Sequence, residues 1–201
     1  MVKMLLIKLF RRMQVEKVEF DYLTIVSVIS ACANLGSLNN GKWIHDIVRS
    51  KGLETNSSIA NALIDMYAKS GNLDLARDAF NRLPYKSVVS WTSIIGACAS
   101  HGHVDEALDL FSEMKKEEVR PNSFTFIAVL TACRHSGLVE EGRNHFESMT
   151  KEYAKMPRLE HCVCVVDLLG RVGQLVEAFE FIESMPVEPD ASVWGALLSA
   201  W

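Results

Sequence analysis

Residues 63–84 read LIDMYAKSGNLDLARDAFNRLP, and the pattern within this stretch recurs along the chain. Gly71 lies in its middle, and the small residue Ala76 follows five positions later. Two large apolar residues, Phe80 and Leu83, come four and then three positions further on. Because self-similarity at a fixed period is the sequence signature of a repeat fold, this stretch decides how the rest of the chain is aligned.

The glycines recur at nearly constant intervals. They stand at Gly36, Gly71, Gly102, Gly137 and Gly173, with spacings of 35, 31, 35 and 36 residues. Glycine readily adopts the left-handed backbone conformation that commonly ends a helix. Each glycine is therefore predicted to close the first helix of a helix pair.

Four further columns keep the same phase as the glycines. One column lies seven positions before each glycine and holds Ile29, Ile64, Ile95, Leu130 and Val166. A column of small residues follows each glycine, at Gly41, Ala76, Ala107, Gly142 and Ala178. Two mostly large columns come next, first His45, Phe80, Phe111, Phe146 and Ile182, then Val48, Leu83, Met114, Met149 and Met185. Intervals of three or four residues place the large columns on one helical face, and the small residues predict a close approach of two helices.

Each unit is thus predicted to be two helices of about a dozen residues, neither of which can bury its apolar face alone. Stacking of neighbouring units buries those faces, which predicts an all-α solenoid. The predicted repeats are 22–56, 57–87, 88–122, 123–158 and 159–190. Residues 1–21 are predicted to be the second helix of a partial repeat, and residues 191–201 the first helix of a truncated unit, so a fragment of a longer array is expected.

The charge and cysteine content exclude some classes of protein. The formal net charge is −4 and the pI is about 5.9, which is not the composition of a protein that holds nucleic acid by bulk charge. Five cysteines are an odd number, which argues against a closed disulfide framework. Cys32, Cys98 and Cys133 share one repeat column, so they are predicted to be core residues.

The chain carries no convincing targeting or membrane segment. The first fifteen residues contain four basic residues and no acid, which fits a transit peptide, but their apolar spacing favours an amphipathic helix of the repeat array. The weakly polar run from Leu23 to Leu35 is too short to span a bilayer. No membrane association is expected.

No arrangement of residues predicts catalysis. His145, Phe146 and Glu147 match one half of a zinc deaminase signature, but the other half, Pro-Cys-x-x-Cys, does not occur. Cys162 and Cys164 lie beside a single histidine and lack a second ligand pair. The sequence therefore predicts a protein that is not an enzyme, with no catalytic residue, metal, cofactor or small-molecule substrate.

The amino-acid sequences of the repeats resemble those of a known family. The stretches LIDMYAKSGNLDLARDAFNRLP (63–84), VVSWTSIIGACASHGHVDEALDLFSEMKKEEVRPN (88–122) and FTFIAVLTACRHSGLVEEGRNHFESM (124–149) are similar to the short, standard and long repeats of plant PLS-class pentatricopeptide-repeat (PPR) proteins. Residues 159–200 resemble the last short repeat and the start of the E domain. Phe20, Ser87 and Cys162 depart from residues usual in the family. The resemblance implies a right-handed α-solenoid that binds single-stranded RNA in mitochondria or chloroplasts.

The resemblance also implies that each repeat contacts one nucleotide through its fifth and last residues. A small polar side chain can offer both a donor and an acceptor to a base edge. Asn61 and Ser87 are then expected to favour cytosine, and Thr92 and Asn122 to favour adenine, which together predict a 5′-C-A-3′ step. The second residue of each repeat stacks on a base in the family. Val89 and Phe124 are the stacking residues expected here, with Ser58 a weaker one.

The remaining units present poorer base contacts. The long repeats pair Val26 with Asn56 and Ile127 with Arg158, and the last short repeat pairs Val163 with Asp190. An aliphatic side chain cannot form a hydrogen bond with a base, so these units are predicted to act as spacers or to stack.

Two uncertain assignments stay open at this stage. Lys69 and Arg171 share a position two residues before the glycine, and they are either phosphate contacts or solvated cations near a helix C-terminus. Asn61 and Thr92 are also residue types found at helix starts without any ligand. The first fourteen residues of the five repeats carry three positive and three negative charges, which predicts a nearly neutral groove and weak affinity.

The leading hypothesis is a sequence-specific RNA-binding tract that acts as a site-recognition factor in organellar C-to-U editing. Catalysis would be supplied in trans by a deaminase-bearing protein. One alternative is a TPR-like scaffold for protein partners, which the acidic net charge supports. TPR units are 34 residues long, however, and lack the alternating spacing of the repeats in this chain. The other alternative is a non-functional gene fragment.

Overall fold

The computed structural model describes residues 2–199, and within that range every regular element is an α-helix. The helices are α1 (Val2–Val15), α2 (Tyr22–Asn34), α3 (Leu38–Ser50), α4 (Ser57–Lys69), α5 (Leu73–Asn81), α6 (Val88–Ser100), α7 (Val104–Lys116), α8 (Ser123–Ser136), α9 (Val139–Lys151), α10 (Leu159–Arg171), α11 (Leu175–Ser184) and α12 (Ala191–Ser199). The all-α class is confirmed. Parts of the predicted terminal units, Met1, Ala200 and Trp201, lie outside the described residues.

Local chemistry explains where the first helices begin and end. The side chain of Asp21 accepts a hydrogen bond from the Thr24 amide at 2.8 Å, and Asn56 caps α4 in the same way. Such caps satisfy amides that have no partner inside the helix. At the other end, Gly71 and Gly137 have φ of +73° and +70°, and the other three glycines of that column are also left-handed. The predicted helix-ending role of this column is confirmed.

Two compact units make up the chain, one ending at Ala97 and the next beginning at Cys98. In the first unit α2 pairs with α3, α4 pairs with α5, and α2 also packs against α4. In the second unit α8 pairs with α9, α10 pairs with α11, and α10 lies against both α8 and α12. Each unit is therefore built of helical hairpins in which one first helix packs on the next.

The predicted core columns are buried except at Phe146 and Met185, which are half-buried. Ile29, Ile64, Ile95, Leu130 and Val166 are all at most 1% exposed. The small column marks tight helix contacts, because a Cβ atom built on Gly41 would lie 2.2 Å from Met66 Sδ, and one on Gly142 would lie 2.5 Å from Leu168 Cδ2. The prediction of a close approach at this column is confirmed.

Second helices end in a way that the sequence did not predict. Lys17, Glu118 and Ala154, which follow α1, α7 and α9, have φ of +54°, +55° and +51°. After α3 the corresponding place is taken by Gly52, with φ of +66°. A side chain in the left-handed region costs about 1 kcal/mol relative to glycine, so three of these turns are strained.

The cysteines have the environment of core residues. Cys32, Cys98 and Cys133 are each fully buried, and burial raises the pKa of the Cys133 thiol to about 11. Within residues 2–199 no group of three or more His, Cys, Asp or Glu side chains could hold a metal ion. No helix in the same range is long and apolar enough to cross a membrane.

Candidate nucleic-acid interface

Within each unit successive first helices lie side by side, and in the second unit α8 and α10 run in the same direction. In the second unit His161 Nε2 lies 2.9 Å from the Ser123 carbonyl oxygen, where α8 and α10 begin. Farther along the same two helices, Arg134 Nε lies 3.4 Å from Asp167 Oδ2. In the first unit Ala68 of α4 and Ala97 of α6 belong to one apolar cluster. Equivalent residues of neighbouring repeats therefore form rows within each unit.

The first turn of each first helix exposes its second residue and half-exposes its fifth. The second residues Leu23, Ser58, Val89, Phe124 and Glu160 are all exposed. The fifth residues Val26, Asn61, Thr92, Ile127 and Val163 are all half-buried. The fourth residues are buried. The second and fifth residues of a repeat are three positions apart on the helix, so they border the same surface.

Asn61 has an unusual environment for an amide side chain. Its Oδ1 atom is buried and accepts no hydrogen bond from the part of the chain that the structure describes. Leaving a buried acceptor without a donor costs about 1–3 kcal/mol. Such exceptions call for a specific explanation, and a ligand that donates a hydrogen bond to this oxygen is one.

The residues predicted to act with Asn61 and Thr92 lie just before a helix. Ser87 is exposed and precedes α6, and its Oγ accepts from the Ser90 amide at 3.3 Å. Asn122 caps α8 in the second unit, where its Oδ1 accepts from the Thr125 amide at 2.9 Å. Because the cap occupies this oxygen, the amide nitrogen of Asn122 is the group suited to face a ligand. Thr92 lies half-buried on α6 in the first unit.

The predicted stacking residues present apolar surface to solvent. Val89 is 51% exposed and Phe124 is 61% exposed. The guanidinium carbon of Arg158 lies 5.8 Å from the centre of the Phe124 ring. In this repeat the second residue and the last residue therefore lie against each other, on the surface that the second residues border.

The two predicted phosphate contacts both pair with an aspartate four residues earlier. Lys69 Nζ lies 2.8 Å from Asp65 Oδ2, and Arg171 Nε lies 2.8 Å from Asp167 Oδ2. The first pair is exposed, and such a pair contributes little to stability. Its formal charges cancel, which leaves little net attraction for a phosphate near α4.

Around Asp167 the balance is different, because a second arginine joins the pair. The side chain of Asp167 is only 7% exposed, and it faces Arg134 of α8 as well as Arg171 of its own helix. The three side chains carry a formal charge of +1, and Arg171 is 53% exposed. Arg134 was not among the residues predicted to belong to the site. The spacing of four residues between Asp167 and Arg171 was the available signal for the pair, but the link to Arg134 needed the packing of α8 on α10.

His135 occupies the column of Lys69 and Arg171 but adds no charge at neutral pH. Burial lowers the pKa of His135, and the nearby Arg134 and Arg171 lower it further. The imidazole is therefore neutral at pH 7. Around Asp167 the positive charge at pH 7 therefore comes from Arg134 and Arg171.

Comparison with known proteins agrees with this repeat geometry. A model of the PPR repeat family matches residues 86–135, and a PPR repeat model matches residues 58–88, 124–153 and 161–188. The chain carries PPR repeats. A pentatricopeptide repeat-containing protein of Arabidopsis thaliana is 52% identical over 194 residues, which is 96% of this chain and 27% of that protein. Another from the same plant, named as mitochondrial, is 47% identical over 192 residues, or 96% of this chain and 34% of the relative.

A solved PPR structure shows the same fold. The pentatricopeptide repeat protein PPR10, crystallised in complex with an 18-nucleotide psaJ RNA element, superposes with a TM-score of 0.77 at 21% identity. The match covers 95% of this chain and 27% of PPR10. The predicted solenoid class is confirmed, and the chain spans about a third or less of the length of these PPR proteins.

Proposed function

We propose that these PPR repeats bind single-stranded RNA and recognise its sequence. The observation that carries the proposal is Asn61, whose half-buried amide borders the row of exposed second residues and whose oxygen has no donor among residues 2–199. A base edge can supply that donor. The RNA-bound structure of PPR10, which has the same fold, supports the same ligand class.

The base assignments follow from the PPR resemblance together with the chemistry of the side chains. Cytosine carries an exocyclic amine, which donates to an amide oxygen such as Asn61 Oδ1. The hydroxyl of the exposed Ser87 is the second expected contact of that cytosine. Thr92 and Asn122 are assigned to adenine by the resemblance alone, as is stacking by Val89 and Phe124.

The wider role is an extension of RNA binding. The likeness of residues 159–200 to a last short repeat and an E-domain start supports a recognition factor for C-to-U editing, with a deaminase-bearing protein acting in trans. A related plant protein is named as mitochondrial, which supports an organellar site of action. In this role the repeats would position the RNA, and the chemistry would belong to the partner.

The charge distribution predicts how tightly the repeats hold RNA. Lys69 is offset by Asp65, and Arg134 and Arg171 share Asp167, so few unpaired cations are available for phosphates. Affinity for RNA should therefore depend weakly on salt, because the salt dependence scales with the number of phosphates neutralised. Hydrogen bonds and stacking to bases would provide most of the selectivity.

A swap of base-contacting residues tests the proposal within the chain itself. The variant N61T/S87N gives the repeat 57–87 the residues found at Thr92 and Asn122. Fluorescence anisotropy would compare two RNAs that differ only by C or A at the first position of the C-A step. The original chain should prefer C by about 1–3 kcal/mol, and the variant should prefer A. Equal affinity for both RNAs in both proteins would contradict the assignment.

A further inference from the structure

A cleft in the second unit lies apart from the residues predicted to contact RNA. It has a volume of about 480 Å³, which is within the range of binding sites for side chains and small ligands. Its walls come from α9, α10 and α11, and the lining residues are Arg143, Phe146, Glu147, Val165, Leu169, Glu177, Glu180, Phe181 and Ser184. None of these belongs to the predicted base-contact, stacking or phosphate-contact sets.

The floor of the cleft is apolar. Val165 and Leu169 of α10 are 3% and 2% exposed. Phe146 of α9 and Phe181 of α11 are half-buried, with ring centres 5.4 Å apart and an edge-to-face angle of 74°. Because the two rings come from different helices and are held by each other, they form a preformed hydrophobic surface that is open at one side.

The rim of the cleft is acidic. It carries three carboxylates, Glu147, Glu177 and Glu180, and one guanidinium, Arg143. Arg143 pairs with Glu177, and Glu147 pairs with Lys151 at 2.6 Å. Among residues 2–199 no cation forms an ion pair with Glu180. The formal charge of the lining residues is therefore −2.

The rim carboxylates are available for exchange with cations of a ligand. The side chains of Glu147 and Glu177 are 60% and 45% exposed, and exposed ion pairs of this kind contribute little to stability. A basic ligand could therefore replace the internal partners at low cost. The same rim repels phosphates, which makes this surface unsuitable for RNA.

We propose that this cleft binds a peptide segment of a protein partner in which apolar side chains are flanked by Lys or Arg. The apolar side chains would contact the rings of Phe146 and Phe181, and the flanking cations would pair with Glu147, Glu177 and Glu180. This separates two surfaces by function, with RNA on the first-helix rows and a basic peptide on the cleft that the second helices border. The proposal is independent of RNA binding.

A peptide titration tests the cleft. The probe is a fluorescein-labelled hexapeptide with two central leucines between pairs of arginines, and the reference peptide has glutamates in place of the arginines. The basic peptide should bind with a Kd below about 1 mM, and the acidic peptide should not bind. Amide NMR shifts on binding should concentrate at Phe146, Leu169 and Phe181. Absence of binding, or shifts confined to other helices, would overturn the proposal.

Charge-reversal variants separate a specific site from general attraction by an acidic protein. E147K/E180K reverses the rim, whereas E140K/E141K makes the same change in net charge on exposed residues of α9 outside the cleft. The rim variant should weaken binding of the basic peptide at least tenfold, and the matched control should change it less than twofold. Equal losses in both variants would show that binding reports only net charge. Circular dichroism of each variant checks that the helices are intact.

Discussion

Gly142 offers the sharpest test of the helix packing, because a single added methyl group meets a buried side chain. The Gly142→Ala substitution would place a Cβ atom 2.5 Å from Leu168 Cδ2 and 3.5 Å from Cys133 Cβ. Carbon atoms pack best at about 3.5–4.0 Å, so the first distance is short by roughly 1 Å. Leu168 is 1% exposed and cannot move into solvent, so α9 and α10 must separate or Leu168 must leave its rotamer.

The expected cost follows from two opposing terms. Overpacking of a core by a methyl group costs about 1–3 kcal/mol. Replacing glycine by alanine within a helix returns about 1 kcal/mol. Gly142→Ala should therefore lower the free energy of unfolding by up to about 2 kcal/mol relative to the original chain.

A matched control isolates the clash. Gly195 also lies inside a helix, α12, but a Cβ atom there would meet nothing within 4 Å. Gly195→Ala should therefore gain up to about 1 kcal/mol, and the two variants should differ by about 1–3 kcal/mol in urea denaturation. Equal stability of the two variants within about 0.5 kcal/mol would refute the role assigned to the small-residue column.

Three further predictions concern strain, pH and the proposed base contact. Ala154→Gly should raise the free energy of unfolding by about 0.5–1 kcal/mol, because the residue has φ of +51°; a lower urea midpoint would contradict this. The chain should lose stability as the pH falls below 6.5, because burial lowers the pKa of His45 and the unfolded chain then binds more protons than the folded chain. His45→Gln should flatten the slope of urea midpoint against pH between 7.5 and 5.5. An unchanged slope would exclude His45 as a cause. Asn61→Ala should leave the urea midpoint unchanged or higher, since it removes a buried acceptor without a donor, yet it should weaken binding to the C-containing RNA; loss of both together would mean that Asn61 is structural.

The contact behind the pH prediction is specific. Tyr67 Oη lies 2.7 Å from His45 Nδ1, and burial raises the pKa of Tyr67 to about 12. The phenol therefore keeps its proton, and the tautomer of the imidazole decides which of the two groups donates the hydrogen bond. Burial disfavours the charged imidazolium, and the carboxylate of Glu54, 3.4 Å from Nε2, offsets only part of that cost, so the folded state resists protonation of His45 more than the unfolded state does.

Much of the fold was predictable because each repeat column has a single physical role. A glycine such as Gly71 ends a helix, a residue such as Ile64 is buried, and a small residue such as Gly142 allows close approach. These roles depend on residues that are near each other in sequence. Because the chain contains several repeats, each role can be recognised at several equivalent positions. Ala154 could not be predicted, because its left-handed conformation is imposed by how the chain turns after α9 and not by its own preference.

The repeat register assigns residues to the candidate interface, but the electrostatics of those residues could not be predicted from it. Register alone predicted Asn61 at the fifth position of a repeat, and the structure shows this residue half-buried on a first helix. The lack of a hydrogen bond at its Oδ1 and the joining of Arg134 to Asp167 both depend on which helix packs beside which. The acidic cleft was not predicted at all, since it arises only when Phe146 and Phe181, one repeat apart in sequence, come into contact.

Photo-crosslinking tests the central claim most directly. An RNA that contains the C-A step and 4-thiouridine on either side would be crosslinked to the chain, and the modified peptides would be identified by mass spectrometry. RNA binding by the first-helix rows predicts crosslinks within α4 and α6, and their loss in Asn61→Ala at fixed RNA concentration. Crosslinks confined to second helices such as α5 and α7, or none above a double-stranded RNA control, would contradict it.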